Sequence, residues 1–229
     1  MKPILPGLYA LPLGAVNVFL LDGGDGLTLI DTGYAGSAPR IGAALEALGR
    51  RWPDVRRILL THCHPDHAGG LAEVKRLSGA PASLHPLDAA LVRAGQAGRG
   101  QMTVAPGMLN RVLYRLFIAG ATPTIEAAEI ERTVDDGDGL PDAGGLRVVF
   151  TPGHSAGHVA YLWEKRGVLF AGDVASHVAG LQLSIAYEDL DLGKRSLEKL
   201  ARLEFEAACF GHGGPVLRGA AAQFRRKWG

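Results

Sequence analysis

Apolar residues recur in short runs separated by turn residues, first near the start of the chain and again in its second half. From residue 7 the segments GLYAL, VNVFLL and LTLIDTG predict strands of a β-meander, with Gly-Asp-Gly turn chemistry at 24–26. The segments LRVVFTPG, HVAYLWE, GVLFAGD and AACFGH have the same strand character after residue 145. The pattern therefore predicts two separate groups of strands.

Helical spacing of apolar residues appears between and after these strands. It predicts helices over 37–51, 67–77 and 189–203, and a last helix from about residue 215. RRILLTH and PASLH predict short strands on either side of the second helix. Each half thus runs strands first and then alternates strand with helix, which favours an α/β fold with two sheets packed between outer helices.

Residues 86–130 interrupt this alternation. Two helical patterns, LDAALVRAG and APGMLNRVLYRLFIAG, are separated there by the glycine-rich QAGRGQ, and we interpret the segment as a helical insertion. The apolar positions of the second pattern predict a core face, made of Met108, Leu109, Val112, Leu113, Leu116 and Phe117. The alternatives are a lid that holds an apolar wall over a substrate, and a contact in a homodimer.

Composition narrows the function classes. The 229 residues are 47% hydrophobic and 21% charged, which fits one ordered domain over 1–229. A formal net charge of +1 gives no overall field that favours nucleic acid or a membrane surface as a partner. No segment approaches the ~18 apolar residues of a membrane span, and the proline-containing start does not resemble a signal peptide. With only Cys63 and Cys209 as thiols, we expect a cytoplasmic protein that acts on a small molecule.

The strongest chemical signal is THCHPDHAGG at 61–70, which directly follows an apolar strand. If the chain is still extended at 62–64, His62 and His64 share one face and Cys63 points to the other, where we expect an inert core thiol. Pro65 then ends the extended segment, so Asp66 and His67 begin the next helix and are aimed at the same pocket. Imidazole and carboxylate are the ligands expected for zinc and similar divalent ions.

Three further residues of ligand type follow other predicted strands. His154 comes after LRVVF, Asp173 after GVLF and His212 after AACF, each in a glycine-containing loop. A lone histidine in such a position is more often structural, but the first motif changes that judgement. The sequence therefore predicts one metal centre made of His62, His64, Asp66, His67, His154, Asp173 and His212.

The order HxHxDH, PGHxxGH, GD and GHGG, together with the early DTG at 31–33, resembles the metallo-β-lactamase superfamily over nearly the whole chain. The resemblance implies a four-layer αββα sandwich with the site at one edge of the sheets. It implies that His62, His64 and His154 bind one metal ion. It likewise implies that Asp66, His67 and His212 bind a second ion, and that Asp173 bridges the two.

The resemblance further implies a hydrolase that uses two divalent ions, Zn²⁺ in the first instance with Fe or Mn as alternatives. A hydroxide shared between the ions would attack a carbonyl carbon, and Asp66 would orient it as the catalytic carboxylate. Ligand histidines usually donate their other N–H to a carboxylate or carbonyl, and Asp31 is the candidate acceptor. His85 and His158 match no ligand position, so we expect structural or supporting roles, while His177 is ambiguous between the pocket and the surface.

The substrate class is narrowed by comparison within the superfamily. Asp66 and Asp173 together resemble the glyoxalase II and lactonase branches rather than true β-lactamases. Only 17 residues follow His212, which leaves no room for the glutathione-binding domain of glyoxalase II. A lactone, ester or thioester with an apolar acyl part is therefore expected.

One observation weighs against a lactone in particular, and two alternative functions stay open. Lactonases often carry a tyrosine soon after the bridging aspartate, whereas Ser176 stands at that position here and Tyr187 is the nearest substitute. The alternatives are a mononuclear iron persulfide dioxygenase, similar in its THCH motif and using His62, His154 and Asp173, and a noncatalytic metal-binding or sensor protein.

Overall fold

Two β-sheets with helices on their outer faces make up the computed structural model, which describes residues 1–120 and 123–229. The strands are β1 (Lys2–Leu5), β2 (Leu8–Pro12), β3 (Asn17–Asp22), β4 (Leu27–Ile30), β5 (Val55–Leu59), β6 (Ala82–Leu84), β7 (Thr103–Val104), β8 (Arg132–Thr133), β9 (Gly139–Leu140), β10 (Leu146–Phe150), β11 (Val159–Trp163), β12 (Val168–Phe170), β13 (Ala186–Tyr187) and β14 (Ala207–Cys209). The α-helices are α1 (Ala38–Ala47), α2 (Pro65–Ala68), α3 (Leu71–Ser78), α4 (Pro86–Arg93), α5 (Met108–Phe117), α6 (Leu190–Ala201) and α7 (Ala220–Trp228).

The strand order follows the predicted organisation of the two halves. The first sheet has the order β1-β2-β3-β4-β5-β6-β8, antiparallel from β1 to β4 and parallel from β4 to β8. The second has the order β14-β12-β11-β10-β9, antiparallel except for the parallel pair β12 and β14. In each sheet the antiparallel part comes first along the chain, and connections through helices give the parallel part.

Alternation along the strands separates the core into layers. In β3, Val18 and Leu20 pack in a cluster with Ile41 of α1, whereas Phe19 and Leu21 pack in the cluster between the sheets. Because side chains of period two point to opposite faces, one strand can serve both layers. The first sheet is thus covered by helices on one face and by the second sheet on the other.

The second sheet repeats this arrangement. In β11, Val159 and Tyr161 face the first sheet, while Ala160 and Leu162 face a third cluster that contains Leu200 of α6. Three apolar layers therefore separate four layers of secondary structure in the order helix, sheet, sheet, helix. The αββα sandwich expected from the sequence is confirmed.

Some predicted boundaries were wrong, and nonlocal contacts explain them. The helix predicted over 67–77 is two helices, α2 and α3, with Gly69 and Gly70 between them. The last helix begins at Ala220 rather than near residue 215, because Val216 forms an extended bridge with Ala208 at the edge of the second sheet. The short strands β1, β7, β8, β9 and β13 were not predicted.

The inserted segment 86–130 contains α4, β7 and α5, and positions 121–122 lie outside the described residues. In α4, Ala89 and Val92 pack into the helix layer of the first sheet. The buried core face predicted for α5 was wrong: the side chains of Met108, Leu109, Val112 and Leu116 are 79%, 66%, 47% and 69% exposed. The side chain of Phe117 is outside the described part of the chain. The lid and the dimer contact stay predictions.

Within the described ranges, 1–120 and 123–229, no helix combines the length and apolar character that a bilayer span requires.

Replacing Tyr161 with phenylalanine tests the contact between the sheets. Its buried hydroxyl donates to the carbonyl of Leu60 at 2.7 Å. We expect Tyr161→Phe to lower the free energy of unfolding by about 1–2 kcal/mol, because the buried carbonyl loses its partner. Denaturant titration of metal-stripped protein measures this. Tyr9→Phe is the matched control, since its half-buried hydroxyl makes no hydrogen bond within the described chain. An equal effect of both changes would contradict the assignment.

Candidate metal centre

The seven predicted ligand residues lie together where strands end. His62 and His64 follow β5, His154 follows β10, Asp173 follows β12 and His212 follows β14, while Asp66 and His67 lie in α2. Packing the two sheets face to face brings these ends to one edge of the sandwich. Cys63 points away into the core of the first sheet, as the alternation predicted. Burial and the neighbouring Asp88 raise the pKa of its thiol.

The ligand atoms form two compact groups that share no residue, and a third group, His62 with His67 and Asp173, overlaps both. The three-histidine group consists of His62, His64 and His154, and its His64 Nδ1 and His154 Nε2 are 2.9 Å apart. The Asp66 group consists of Asp66, His67 and His212, and His212 Nε2 lies 3.2 Å from Asp66 Oδ2. Within each group the ligand atoms all lie within 4.8 Å of one another. Each group is thus compact enough to surround one ion.

Asp173 lies between the two groups. Its Oδ2 is 3.6 Å from His154 Nε2 and 2.9 Å from His212 Nε2. Its Oδ1 is 3.5 Å from His67 Nε2. The carboxylate therefore faces both groups, as the predicted bridging role requires.

Three atoms of the cluster are buried without a hydrogen-bond partner in the described chain: His62 Nε2, His67 Nε2 and Asp173 Oδ1. Leaving such an atom unpaired costs about 1–3 kcal/mol. All three point into the cluster, and nitrogen and oxygen donors are what zinc-like ions bind. The residues present fit divalent metal ions.

Acceptors behind the rings define which nitrogen faces the cluster. His67 Nδ1 lies 2.8 Å from Asp31 Oδ2, His154 Nδ1 lies 2.9 Å from the carbonyl of Ala186, and His212 Nδ1 lies 2.8 Å from that of Ala15. These oxygens accept, so Nδ1 carries a proton in all three rings and Nε2 faces the cluster.

Asp31, which directly follows β4, contacts residues at both ends of the HxHxDH motif, Thr61 just before it and His67 at its end. It accepts hydrogen bonds from the amide and hydroxyl of Thr61 at 2.8 and 2.9 Å, in addition to its contact with His67. The hydroxyl of Thr61 is in turn 3.0 Å from Nδ1 of His62. The predicted contact of Asp31 with a histidine of the cluster is confirmed. Its φ of 61° is a conformation that few residues other than glycine adopt, and the three contacts hold it there.

The two groups differ in their affinity for protons. Burial and the neighbouring histidines lower the pKa of His62 and of His154 well below its ordinary value. Burial also disfavours charge on His67 and His212, but the carboxylates of Asp173 and Asp66 raise the pKa of both well above the ordinary value. The three-histidine group is therefore neutral near pH 7, whereas the Asp66 group holds protons.

The other histidines lie outside the ligand groups. Buried His158 accepts a hydrogen bond from the amide of Asp173 at 3.0 Å and contacts the Thr151 hydroxyl, and burial lowers its pKa to about 4. It supports the loop of Asp173, as expected. His85 begins α4 and accepts from the amide of Leu87. His177 contacts the carbonyl of Gly214.

Sequence reasoning missed two residues that hold the ligand loops. Asn17 donates to the carbonyls of Phe210 and Gly213 at 3.0 and 2.7 Å and so holds the loop of His212. Asp88, interpreted only as part of a helix start, is completely buried beside the loops of His62 and His154. No local pattern marks either residue. The nearest signal in the sequence is Gly211, next to His212 in the loop that Asn17 holds. A Cβ at this position would lie 2.0 Å from Asp173 Oδ1, so the site requires a glycine there.

Neither residue considered in place of the lactonase tyrosine presents a free hydroxyl. The Tyr187 hydroxyl is buried, donates to the carbonyl of Val174 at 2.7 Å and accepts from the amide of Ser184 at 3.0 Å. The Ser176 hydroxyl donates to the carbonyl of Leu183. Tyr187 instead supports the site through its ring, which packs edge-on against His154.

Comparison with known proteins agrees with this geometry. The sequence profile of the metallo-beta-lactamase superfamily matches residues 11–212. The lactamase-like protein aptB of Emericella nidulans is 28% identical over 204 residues, which are 89% of this chain and 53% of that protein. The thioesterase pkgB of the same organism is 29% identical over 209 residues, 91% of this chain and 48% of that protein. The chain thus spans about half the length of these relatives.

Solved structures show the same fold. A metallo-beta-lactamase family protein from Thermus thermophilus matches with a TM-score of 0.70 and 31% identity, over 98% of this chain and 80% of its own. A beta-lactamase from Chitinophaga pinensis matches with a TM-score of 0.73 over 99% of this chain and 90% of its own, at 23% identity.

Metal binding should release protons unequally from the two groups. The three-histidine group is already neutral at pH 7, so its ion displaces few protons. His67 and His212 must each lose a proton, so an ion at the Asp66 group should release about two, and its affinity should fall as pH decreases. Calorimetric titration of stripped protein in buffers of different ionisation enthalpy measures this, and His212→Asn should remove about one of the two protons. Equal release from both binding steps would contradict the expected protonation states.

Proposed function

The chain belongs to the metallo-β-lactamase superfamily, and we propose from that premise that it is a dinuclear metal-dependent hydrolase of an ester, thioester or lactone. The observation that carries the proposal is the pair of donor groups with Asp173 between them, together with three buried atoms left unpartnered toward the cluster. Because the three-histidine group and the Asp66 group have no residue in common, each would hold an ion of its own.

The donor atoms assign the ligands. Nε2 of His62 and His154 with Nδ1 of His64 would hold one ion, and Asp66 with Nε2 of His67 and His212 would hold the other. Asp173 would contact both. When bound, a pair of divalent ions brings the pKa of a shared water into the neutral range and polarises a carbonyl oxygen.

Asp66 is the residue best placed to move a proton. Its contacts with described residues are made through Oδ2, to His212 at 3.2 Å and His67 at 3.7 Å. Oδ1 is left to accept a hydrogen bond from the attacking water and to take its proton. As the water oxygen bonds to the acyl carbon, the bond to the leaving oxygen or sulfur breaks, and Asp66 returns the proton to that atom.

The surroundings of the cluster favour an apolar acyl group. Tyr34 is 42% exposed, and burial and the nearby Asp66 carboxylate raise the pKa of its hydroxyl. Val178 is 68% exposed and lies next to Gly213 in the loop of His212. Exposed apolar side chains this close in the chain to the cluster could contact a hydrocarbon chain of a substrate.

A thioester or open ester fits this site better than a lactone. The Tyr187 hydroxyl is fully engaged with backbone groups, so it cannot contact the substrate as the lactonase tyrosine does. The thioesterase pkgB is among the relatives, which supports a thioester as the substrate bond. Asp66 and Asp173 together still favour these bonds over β-lactams.

Metal content and a substrate panel test the proposal together. We expect about two zinc-like ions per chain and turnover of medium- or long-chain acyl thioesters and aryl esters. Metal analysis of purified protein and release of thiol or phenol measure the two expectations. One iron per chain with oxygen uptake on a persulfide would establish the dioxygenase instead. Two bound ions without turnover of any thioester, ester, lactone or β-lactam would point to the noncatalytic alternative.

Variants separate proton transfer from metal binding. Asp66→Asn keeps a ligand oxygen but cannot take a proton, so with saturating metal we expect kcat to fall about 10²- to 10⁴-fold. His154→Ala should lose one ion and nearly all activity. His85→Asn is the control, because it keeps a side chain that can cap α4 and lies outside the ligand groups. Steady-state kinetics with parallel metal analysis distinguishes these effects, and full activity of Asp66→Asn would exclude the proposed role.

A further inference from the structure

The carboxylate of Asp88 in α4 is completely buried and accepts four hydrogen bonds. Its Oδ2 accepts from the amide of Cys63 at 3.1 Å and from the hydroxyl of Ser155 at 2.6 Å. Its Oδ1 accepts from the amide of Gly157 and from Nη1 of Arg99, both at 2.9 Å. A carboxylate out of contact with water needs such partners, and here they come from three different segments.

Two of those segments carry the three-histidine group. Cys63 stands between His62 and His64, and Ser155 directly follows His154. Asp88 therefore joins the two loops whose separation decides whether the three ring nitrogens can meet at one ion. The approach is so close that a Cβ at Gly157 would lie 2.6 Å from Cγ of Asp88, which explains the glycine at that position.

Arg99 supplies the opposite charge from the inserted segment. Its guanidinium contacts Asp88, the carbonyl of Leu87 at 2.7 Å and Glu188 Oε2 at 3.1 Å. Burial acts to raise the pKa of Asp88. The Ser155 hydroxyl and Arg99 outweigh it and lower the pKa below its ordinary value, so the carboxylate stays ionised. The charge that holds the loops thus depends on Arg99 for compensation.

Glu188 extends the contact to His154 itself. Its Oε2 accepts from the amide of Ala156 at 2.7 Å, and its own amide donates to the carbonyl of His154 at 3.2 Å. The inserted segment also contacts the surroundings of His154 through β7, which pairs with β13. The carbonyl of Ala186 in β13 is the acceptor behind the His154 ring.

The Asp66 group is held by other contacts. His67 is oriented by Asp31 and His212 by the carbonyl of Ala15, and neither contact involves the inserted segment. A change at Asp88 or Arg99 should therefore act on one of the two metal positions and spare the other.

We propose that Asp88 and Arg99 are positioning residues, through which the inserted segment sets the metal affinity of the three-histidine group. The inference rests on the proposed two-metal function. It makes the segment 86–130 part of the metal centre, in addition to any contact that the segment makes with substrate.

The test measures zinc binding to the stripped full-length chain by competition with a chromophoric chelator, for Asp88→Asn and Arg99→Met. We expect the ion at the three-histidine group to bind about 10- to 100-fold more weakly, the range found for residues that orient metal ligands. The ion at the Asp66 group should bind as in wild type. Cobalt substitution identifies the position, because the visible absorption of the affected site should change in intensity and wavelength.

Arg93→Met is the matched control. Arg93 lies in the same segment with a side chain 39% exposed, against 31% for Arg99, and it pairs with Glu129 at 3.0 Å away from the ligands. It should leave both affinities unchanged, while Arg99→Lys should recover part of the loss because it restores the charge.

The possible outcomes distinguish failure of the two-metal function from failure of the positioning role of Asp88 and Arg99. If the wild-type chain bound no divalent ion, the proposed function and this inference would both be overturned. If it bound two ions and both variants bound them as wild type does, only the positioning role would be refuted. A loss spread equally over both ions, or matched by Arg93→Met, would also refute it. Should Asp88→Asn fail to fold, the milder Arg99→Met carries the test.

Discussion

Burial of unpartnered donor atoms at the strand ends is the constraint on which the structure around the site depends. His62 Nε2, His67 Nε2 and Asp173 Oδ1 have no partner in the described chain, and each would gain from leaving the interior. They stay because most of the histidine rings are held from behind. An oxygen of Thr61, Asp31, Ala186 or Ala15 contacts the far nitrogen of each ligand histidine except His64. The free-energy cost of these unpaired buried atoms is offset by packing elsewhere in the fold.

Hydrogen bonds between the two halves of the chain bring these separately held side chains together in one site. The amide of Val159 in the second sheet donates to the carbonyl of Thr61 at 2.9 Å, directly before His62. Asn17 in the first sheet donates to the carbonyls that flank His212. Because each half supplies donors to loops of the other, the ligand geometry depends on the packing of the sheets, and its stability is linked to that of the sandwich.

Periodicity and motif spacing account for the parts of the fold and of the site that could be predicted from the sequence. The apolar run in VNVFLL predicted a strand, and the density of THCHPDH predicted residues that the structure brings together at the strand ends. The short strands β8, β9 and β13 could not be predicted, since two residues carry no period and pair only through distant neighbours. Asp88 was missed for the same reason, because its four partners are separated from it by 11 to 69 positions. The exposed apolar face of α5 shows the opposite error, in which a helical period was taken as evidence of burial.

The inserted segment therefore joins two physical roles that a deletion cannot separate. Its inner part, with Asp88 and Arg99, contacts the loops of the three-histidine group. Its outer part, α5, exposes Met108, Leu109 and Leu116. Shortening 95–120 would remove α5 and also Arg99, the partner of Asp88, so a change in substrate selectivity after such a deletion could arise from an altered metal position as readily as from a lost apolar wall. Polar substitutions confined to the exposed face of α5 leave the Arg99 contacts in place. They isolate the contribution of that face, whether it covers a substrate or a second copy of the chain.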